Sequence, residues 1–184
     1  MLSSALSIMD KLIKASEQKS FSDKDILALT ERKCVIRKYG ELAKFRTLKQ
    51  AWGKHKAMVI LVETKPGYGH WVSVFSRPGG VIEVFEAYGL KLDEWLKYVP
   101  PAFAKESNQD EKHLTRLIIN SKVKEVVVND IRLQRFRGDV STCGRWAGLR
   151  IALRDMTLPL FAELFLNQTF YPDWYATAMT FFVG

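Results

Sequence analysis

The chain has 184 residues, of which 47% are hydrophobic and 12% aromatic, and its formal net charge is +8 at pH 7. This composition excludes a disordered tail and suits one compact domain with a buried core. Its apolar runs are much shorter than the roughly 20 residues of a membrane-spanning helix, so we expect no contact with the membrane interior. The N-terminal residues also lack the pattern of a secretory signal.

The positive charge and the two cysteines indicate the kind of partner and the cellular compartment to expect. A basic chain favours an anionic partner such as nucleic acid, although the lysines and arginines are scattered and match no known reading motif. The alternative is a soluble protein whose surface is rich in lysine without binding such a partner. Two cysteines cannot form a disulfide framework, which indicates a reducing compartment and a protein that is not secreted.

The N-terminal part, residues 1–56, is predicted to be helical. An apolar period near the N-terminus indicates a first helix, and Ser22 followed by Asp25 is a helix-start signal for a second. Apolar residues recur every three or four positions from Tyr39 to about Trp52, which predicts a third helix.

The central part, residues 57–156, contains the predicted strands. The Val/Ile-rich segment AMVILVET indicates a buried strand. The segments HWVSVFS and VIEVFEAYG are separated by RPGG, a turn signal that predicts a hairpin. Two helical segments, LDEWLKYV and DEKHLTRLIIN, precede another strand, VKEVVVND.

Helices are predicted from Ser141 to about Met156 and again in the C-terminal part, residues 157–184, over LPLFAELFL and DWYATAMTFF. Strands in the middle and helices at both ends predict an α+β fold. We therefore treat residues 1–184 as a single domain, and we expect a monomer.

The segment GDVSTCGRWAGLR places Cys143 in the first turn of a predicted helix, with Thr142 or Ser141 as N-cap. Unpaired N–H groups and the positive helix end would stabilise a thiolate there. Gly144 would let a substrate approach closely, and Arg145 would add positive charge. The alternative is a buried structural cysteine.

A metal site is not favoured by the sequence. There is no CxxC pair. The three histidines are far apart in the chain and have no ligand spacing: His55, His70 and His113. We expect no metal.

A nucleophilic cysteine needs a base, and the predicted hairpin supplies one. His70 begins one strand and Glu86 ends its partner, so both lie at the same open end, where Glu86 could orient the imidazole. Glu83 is out of phase and would face the other side. The amide of Gln134 could donate to a developing oxyanion. The alternatives are an ordinary strand histidine, a solvated carboxylate and a surface glutamine.

The order GHW, FEAYG, LQ and TCGRW resembles that of the adenain-like cysteine proteases. This family includes the adenovirus maturation protease and relatives in virophages, Polinton-type elements and large DNA viruses, and it shares a clan with the SUMO-specific proteases. The HW pair and the CGRW run are most similar to the virophage and Polinton branch. Glu86 stands where that branch commonly has Asp, and Ala87 where it commonly has Ser.

The resemblance implies a central mixed sheet flanked by helices, with Cys143 at the start of one helix. Cys143 would be the nucleophile and His70 the base. Glu86 would orient His70, and Gln134 would join the Cys143 N–H in the oxyanion hole. Trp71 would pack beside the histidine and shape the cleft, with a plain core tryptophan as the alternative.

The resemblance also implies substrates and a setting. The expected substrates are viral capsid precursors, cut during virion maturation, in the virion or the host cytoplasm. No cofactor is required for the chemistry, although the adenovirus relative uses DNA and a peptide joined through a cysteine. Cys34 is the spare thiol here, and we interpret it as buried and structural. The alternatives are a SUMO or ubiquitin-like deconjugating protease, a triad-based acyltransferase, and a basic DNA-binding or scaffold protein without catalysis.

Overall fold

The centre of the fold is one mixed β-sheet whose five strands lie side by side in chain order. The computed structural model describes the backbone of residues 2–183 and the side chains of residues 7–183. The strands are β1 (Val35–Lys38), β2 (Ala57–Lys65), β3 (Tyr68–Arg77), β4 (Val81–Phe85) and β5 (Glu125–Val128). The inner three are antiparallel, whereas β1 and β5 add to the edges in parallel.

Helices surround this sheet. They are α1 (Leu2–Glu17), α2 (Asp23–Leu29), α3 (Leu48–Trp52), α4 (Pro101–Glu106), α5 (His113–Asn120), α6 (Cys143–Ala152), α7 (Leu158–Glu163) and α8 (Pro172–Met179). Short 3₁₀ segments include Tyr39–Lys44 and Glu94–Tyr98. Within residues 2–183, no helix is both long and apolar enough to cross a membrane.

The alternation of β2 explains why both faces of the sheet are covered. Its residues 58, 60 and 62 pack on one face and residues 57, 59 and 61 on the other, and all six are buried. The two parallel connections, β1 to β2 and β4 to β5, cover the first face. The second face is covered by α2, α6 and α7, with α8 packed behind them. The sheet is therefore the middle layer, and α6 lies against it.

The α+β class, the hairpin and the capping box are confirmed. β3 and β4 pair antiparallel across the RPGG turn. Ser22 is the N-cap of α2, its hydroxyl accepts from the N–H of Asp25, and the carboxylate of Asp25 accepts from the N–H of Ser22. The coarse division of the chain thus follows from its sequence pattern.

The N-terminal part is not entirely helical, because it also contains β1. This strand has only four residues, VIRK, and its basic C-terminal half suits a sheet edge rather than a buried strand. The helix predicted from Tyr39 to Trp52 is interrupted at residues 45–47. Thr47 then caps α3, because its hydroxyl accepts from the N–H of Gln50 at 3.4 Å. A helical period alone did not reveal this interruption.

Candidate active site

His70 and Glu86 lie together at the open end of the hairpin, as the sequence predicts. His70 is near the start of β3 and Glu86 directly follows β4, so the antiparallel pairing brings them to the same end. His70 Nε2 and Glu86 Oε1 are 2.6 Å apart, the distance of a charge-assisted hydrogen bond. The Glu86 side chain is fully buried, whereas 16% of the His70 side chain is exposed.

The carboxylate of Glu86 is held in place by the loop that follows it. The N–H of Tyr88 donates to Oε1 and the N–H of Leu90 donates to Oε2, each at 2.9 Å. The loop turns at Gly89, whose φ is +73°, and a Cβ there would lie 2.8 Å from a backbone oxygen. Glu86 therefore presents a fixed acceptor to His70 rather than a mobile one.

Tyr88 covers the imidazole, a contact that sequence reasoning missed. The rings of Tyr88 and His70 stack with centroids 5.0 Å apart and planes 21° apart. Phe136 packs edge-on against Tyr88 at 5.1 Å. Burial raises the pKa of the Tyr88 phenol well above its usual value, so this ring stays neutral. The sequence signal for this contact was the aromatic residue two positions after Glu86.

Cys143 is the first residue of α6, and its thiol is half-buried beside His70. Glu86 occupies Nε2 of His70, so Nδ1 is the nitrogen that can meet the thiol. Burial of the ring opposes its charged form, but the proximity of Cys143 and the hydrogen bond to Glu86 outweigh this and raise the pKa of His70 to about 10. The arrangement favours an imidazolium between a carboxylate and a thiol.

Thr142 occupies the N-cap position of α6, but it does not cap the helix through its side chain. Its hydroxyl donates instead to Oδ1 of Asp173 at 2.6 Å. The prediction that Thr142 is the N-cap residue is confirmed for its position, but its side chain makes no capping hydrogen bond because a buried carboxylate accepts from the hydroxyl. The side chain of Thr142 therefore accepts no hydrogen bond from the N–H groups at the start of α6, next to Cys143.

The predicted role of Gly144 in opening the cleft is also corrected. Gly144 is buried, and a Cβ there would lie 2.7 Å from Cβ of Phe21 and 3.0 Å from Cδ1 of Trp71. Glycine is needed so that α6 can approach these two side chains. The residue supports the packing behind the site rather than an open space for substrate.

Arg145 points towards the terminal helices rather than serving as a charge for the thiol. Its guanidinium donates to the carbonyl and hydroxyl of Thr180 and to the carbonyl of Ser16, and it lies 4.1 Å from the ring of Phe21. Burial lowers the pKa of Arg145 to about 10. The residue ties α6 to α1 and α8.

Gln134 and Trp71 both border the cleft. The N–H of Gln134 donates to the carbonyl of Ala87 at 2.9 Å, and its buried amide lines the same hollow as His70 and Cys143. Among the described residues, nothing is hydrogen-bonded to its Oε1. The indole N–H of Trp71 donates to the carbonyl of Phe21 at 3.2 Å, and Trp71 lines a second hollow.

The two hollows meet at Cys143. The larger is about 430 Å³ and the smaller about 240 Å³, and both are bordered by Tyr68, Gly69 and Cys143. The smaller has five aromatic residues in its lining, Tyr68, Tyr88, Trp95, Tyr98 and Phe136. An extended chain lying through both would pass its backbone over the thiol.

Cys34 lies outside this site. It is buried in the core between α2, α6 and the sheet, and burial raises the pKa of its thiol. Among the side chains of residues 7–183, His, Cys, Asp and Glu form no group of three that could hold a metal ion. Of the two thiols, Cys143 is therefore the one whose surroundings would suit a nucleophile.

Comparison with known proteins gives one informative relative. The chain is 33% identical over 174 residues to the uncharacterized protein V9 of Sputnik virophage. The match covers 92% of this chain and 99% of the virophage protein. No family model matches the chain. Since identity at this level extends over nearly the full length of both proteins, the chain belongs to the same family as protein V9 of Sputnik virophage.

Proposed function

We propose that the chain is a thiol endopeptidase with an adenain-like fold, organised as a single protease domain. The observation that carries the proposal is the hydrogen bond of His70 to buried Glu86 in a hollow that Cys143 also lines, with the pKa of His70 raised to about 10. The order of the four motifs, which resembles the adenain-like proteases, supports the same proposal. A buried structural cysteine would not require a histidine held by a buried carboxylate.

In the first half of the reaction, the Cys143 thiolate attacks a peptide carbonyl carbon and a C–S bond forms. The carbonyl oxygen becomes an oxyanion that accepts from the Gln134 amide and the Cys143 N–H. The His70 imidazolium gives its proton to the leaving nitrogen, the C–N bond breaks, and an amine departs. The products of this half are an acyl-enzyme and a neutral imidazole.

In the second half, neutral His70 accepts a proton from water as the water oxygen attacks the thioester carbonyl. The C–S bond breaks, and the carboxyl product leaves. The thiolate and imidazolium are restored, and the reaction consumes one water molecule and no oxidant. Glu86 keeps the imidazole in one orientation through both halves, because its own position is fixed by two backbone N–H groups.

The shape of the cleft favours an endopeptidase. The hollows of about 430 Å³ and 240 Å³ both border Cys143, and we propose that they hold substrate residues on the two sides of the cut bond. We propose virion precursor proteins as substrates and the virion or host cytoplasm as the setting. This rests on the family resemblance and on the virophage origin of the related V9 protein.

The net charge of +8 is compatible with packaging beside a genome, and DNA remains a hypothetical activator. The test is retention on duplex DNA and the rate of Cys143 labelling, each measured across a salt series. Counterion release makes genuine DNA contact weaken steeply with salt. If the protein is not retained on DNA and the rate of Cys143 labelling is the same with and without DNA, the hypothesis fails.

The central experiment is alkylation by iodoacetamide at pH 6 to 7, with the labelled sites mapped by mass spectrometry. We expect fast labelling of Cys143, slow labelling of buried Cys34, and marked slowing in His70→Ala. His55→Ala is the matched control, since His55 lies outside the cleft. Labelling of Cys143 at the rate of an ordinary free thiol would refute the proposal.

Two further assays separate the alternatives within the same clan. A deconjugating protease would cleave a SUMO or ubiquitin-like fusion after its C-terminal Gly-Gly. An acyltransferase would consume acetyl-CoA without cutting peptides. Cleavage of virion precursor proteins with neither of these activities would support the endopeptidase proposal.

A further inference from the structure

The carboxylate of Asp173, near the start of α8, is completely buried and accepts four hydrogen bonds. Its Oδ1 accepts from the Thr142 hydroxyl at 2.6 Å and from the Trp146 indole at 2.9 Å. Its Oδ2 accepts from the Arg135 N–H at 2.9 Å and from Arg135 Nε at 3.1 Å. A single carboxylate thus joins α8 to two separate segments of the chain.

Those two segments carry the two proposed oxyanion donors. Arg135 directly follows Gln134, and Thr142 directly precedes Cys143. The donors themselves lie on a loop and on α6, so local backbone geometry does not fix the distance between them. The two oxygens of Asp173 link them, because each oxygen holds a residue adjacent to one donor.

A second carboxylate supports the Arg135 side. Arg135 Nη2 donates to Oε2 of Glu17 at 2.6 Å, and its guanidinium lies 3.5 Å from the ring of Tyr171. The carbonyl of Glu17 accepts from the N–H of Ser141 at 2.8 Å. The C-terminal end of α1 therefore also contacts both segments.

We propose that Asp173 is a positioning residue that sets the geometry of the oxyanion hole by holding Arg135 and Thr142 at once. This inference rests on the proposed function. It extends that function to α8, which carries none of the reacting groups. Substitution of Asp173 should weaken stabilisation of the oxyanion without changing the reactivity of the thiolate.

Two reactions of Cys143 separate these effects. With iodoacetamide, the thiolate displaces iodide from a methylene carbon, and no oxyanion forms. With benzyloxycarbonyl-glycine p-nitrophenyl ester, the thiolate attacks the carbonyl, an oxyanion forms, p-nitrophenolate leaves, and water then hydrolyses the acyl-enzyme. The ratio of acylation rate to alkylation rate therefore reports on the oxyanion hole.

Each variant is chosen to weaken the hydrogen bonds of Asp173 to one of the two residues, Thr142 or Arg135. Thr142→Val removes the hydroxyl while keeping the shape of the side chain. Asp173→Asn keeps an acceptor for Thr142 but turns an NH₂ group towards the two N–H donors of Arg135. We expect acylation to fall by about 10- to 100-fold in each, somewhat less than for outright removal of an oxyanion donor. Alkylation should change little.

Thr180→Val is the matched control. Thr180 is equally buried, and its hydroxyl accepts from Arg145, so the substitution also breaks a bond between α6 and the end of α8. It should lower thermal stability but leave the ratio of the two rates unchanged. Thr142→Ser, which keeps the hydroxyl, should restore most of the ratio lost in Thr142→Val.

Equal losses in both reactions, or a ratio that stays at the wild-type value in Thr142→Val and Asp173→Asn, would overturn the inference. These outcomes leave the proposed function intact if the wild type alkylates rapidly in a His70-dependent manner. Slow, His70-independent alkylation of the wild type would instead remove the proposed function, and this inference with it.

Discussion

Replacement of Glu86 by Gln tests the charge of the His70–Glu86 pair with almost no change in volume. Oε1 of Glu86 accepts from His70 and from the Tyr88 N–H, and Oε2 accepts from the Leu90 N–H. The glutamine oxygen can replace only one of these oxygens. Its NH₂ group must then face an N–H donor, and His70 loses the negative charge beside its ring.

The expected shift follows from the strength of that contact. A hydrogen bond to a charged group contributes about 1.5–3 kcal/mol, and one pKa unit corresponds to about 1.4 kcal/mol. The pKa of His70, which is about 10 in the wild type, should therefore fall by about one to two units in Glu86→Gln. Cys143 still supports the protonated ring, so the pKa should remain above 6.5, the usual value for histidine.

The same shift alters stability in a defined pH window. Because the pKa of His70 is raised on folding, its protonated form stabilises the fold fully below pH 6.5. That contribution is lost as the pH rises through about 10, and Glu86→Gln should move the upper limit of this window to lower pH. The free energy of unfolding, compared with that of His70→Gln at each pH, measures the contribution.

The direct assay is a pH titration of the His70 ring by NMR, assigned with the His70→Gln variant. Glu94→Gln is the control, because Glu94 also accepts a backbone N–H and pairs with a lysine, but it lies outside the cleft. A pKa of His70 that is equal in wild type and Glu86→Gln would refute the reasoning. A wild-type pKa near 6.5 would do so as well.

Three further changes test other parts of the site. Gly144→Ala should destabilise the protein by about 1–3 kcal/mol in urea denaturation, since its Cβ would meet Phe21 at 2.7 Å. Gln134→Ala should slow acylation by an activated ester by about 10²- to 10³-fold and leave iodoacetamide alkylation unchanged; equal slowing of both would contradict an oxyanion role. Arg150→Met should cost about 3–5 kcal/mol of stability by leaving Glu83 buried with less compensation, and a wild-type melting temperature would contradict this.

The proximity of His70 and Glu86 in the proposed active site was predictable because it depends on strand register. His70 and Glu86 sit at the matching ends of two strands joined by a strong turn signal, so their proximity follows from the antiparallel pairing. Glu83 is out of phase with Glu86 and faces the other side, as predicted: its carboxylate binds Arg77 and Arg150 instead of His70. Alternation along a strand is a short-range rule, and it holds here.

What the sequence did not reveal depends on contacts between distant segments. Thr142 fits a helix cap by pattern, but Asp173, 31 positions later, takes its hydroxyl. Gly144 fits an open approach to the thiol, but Phe21 fills the space. In each case the local residue type was compatible with two roles, and a partner from a terminal helix or its flanking loop decided between them.

Three buried carboxylates divide the support of the site between them. Glu86 fixes the imidazole, Asp173 binds the start of α6 through Thr142, and Glu83 binds its end through Arg150.

Arg150 is seven residues from Cys143, about 10 Å along the helix at 1.5 Å per residue. Loss of the Glu83 contact should therefore lower stability more than acylation rate, whereas loss of the Asp173 contact acts one residue from Cys143, the proposed nucleophile. The ratio of acylation to alkylation should thus respond to Asp173→Asn and not to Glu83→Gln, even if both variants melt at lower temperature.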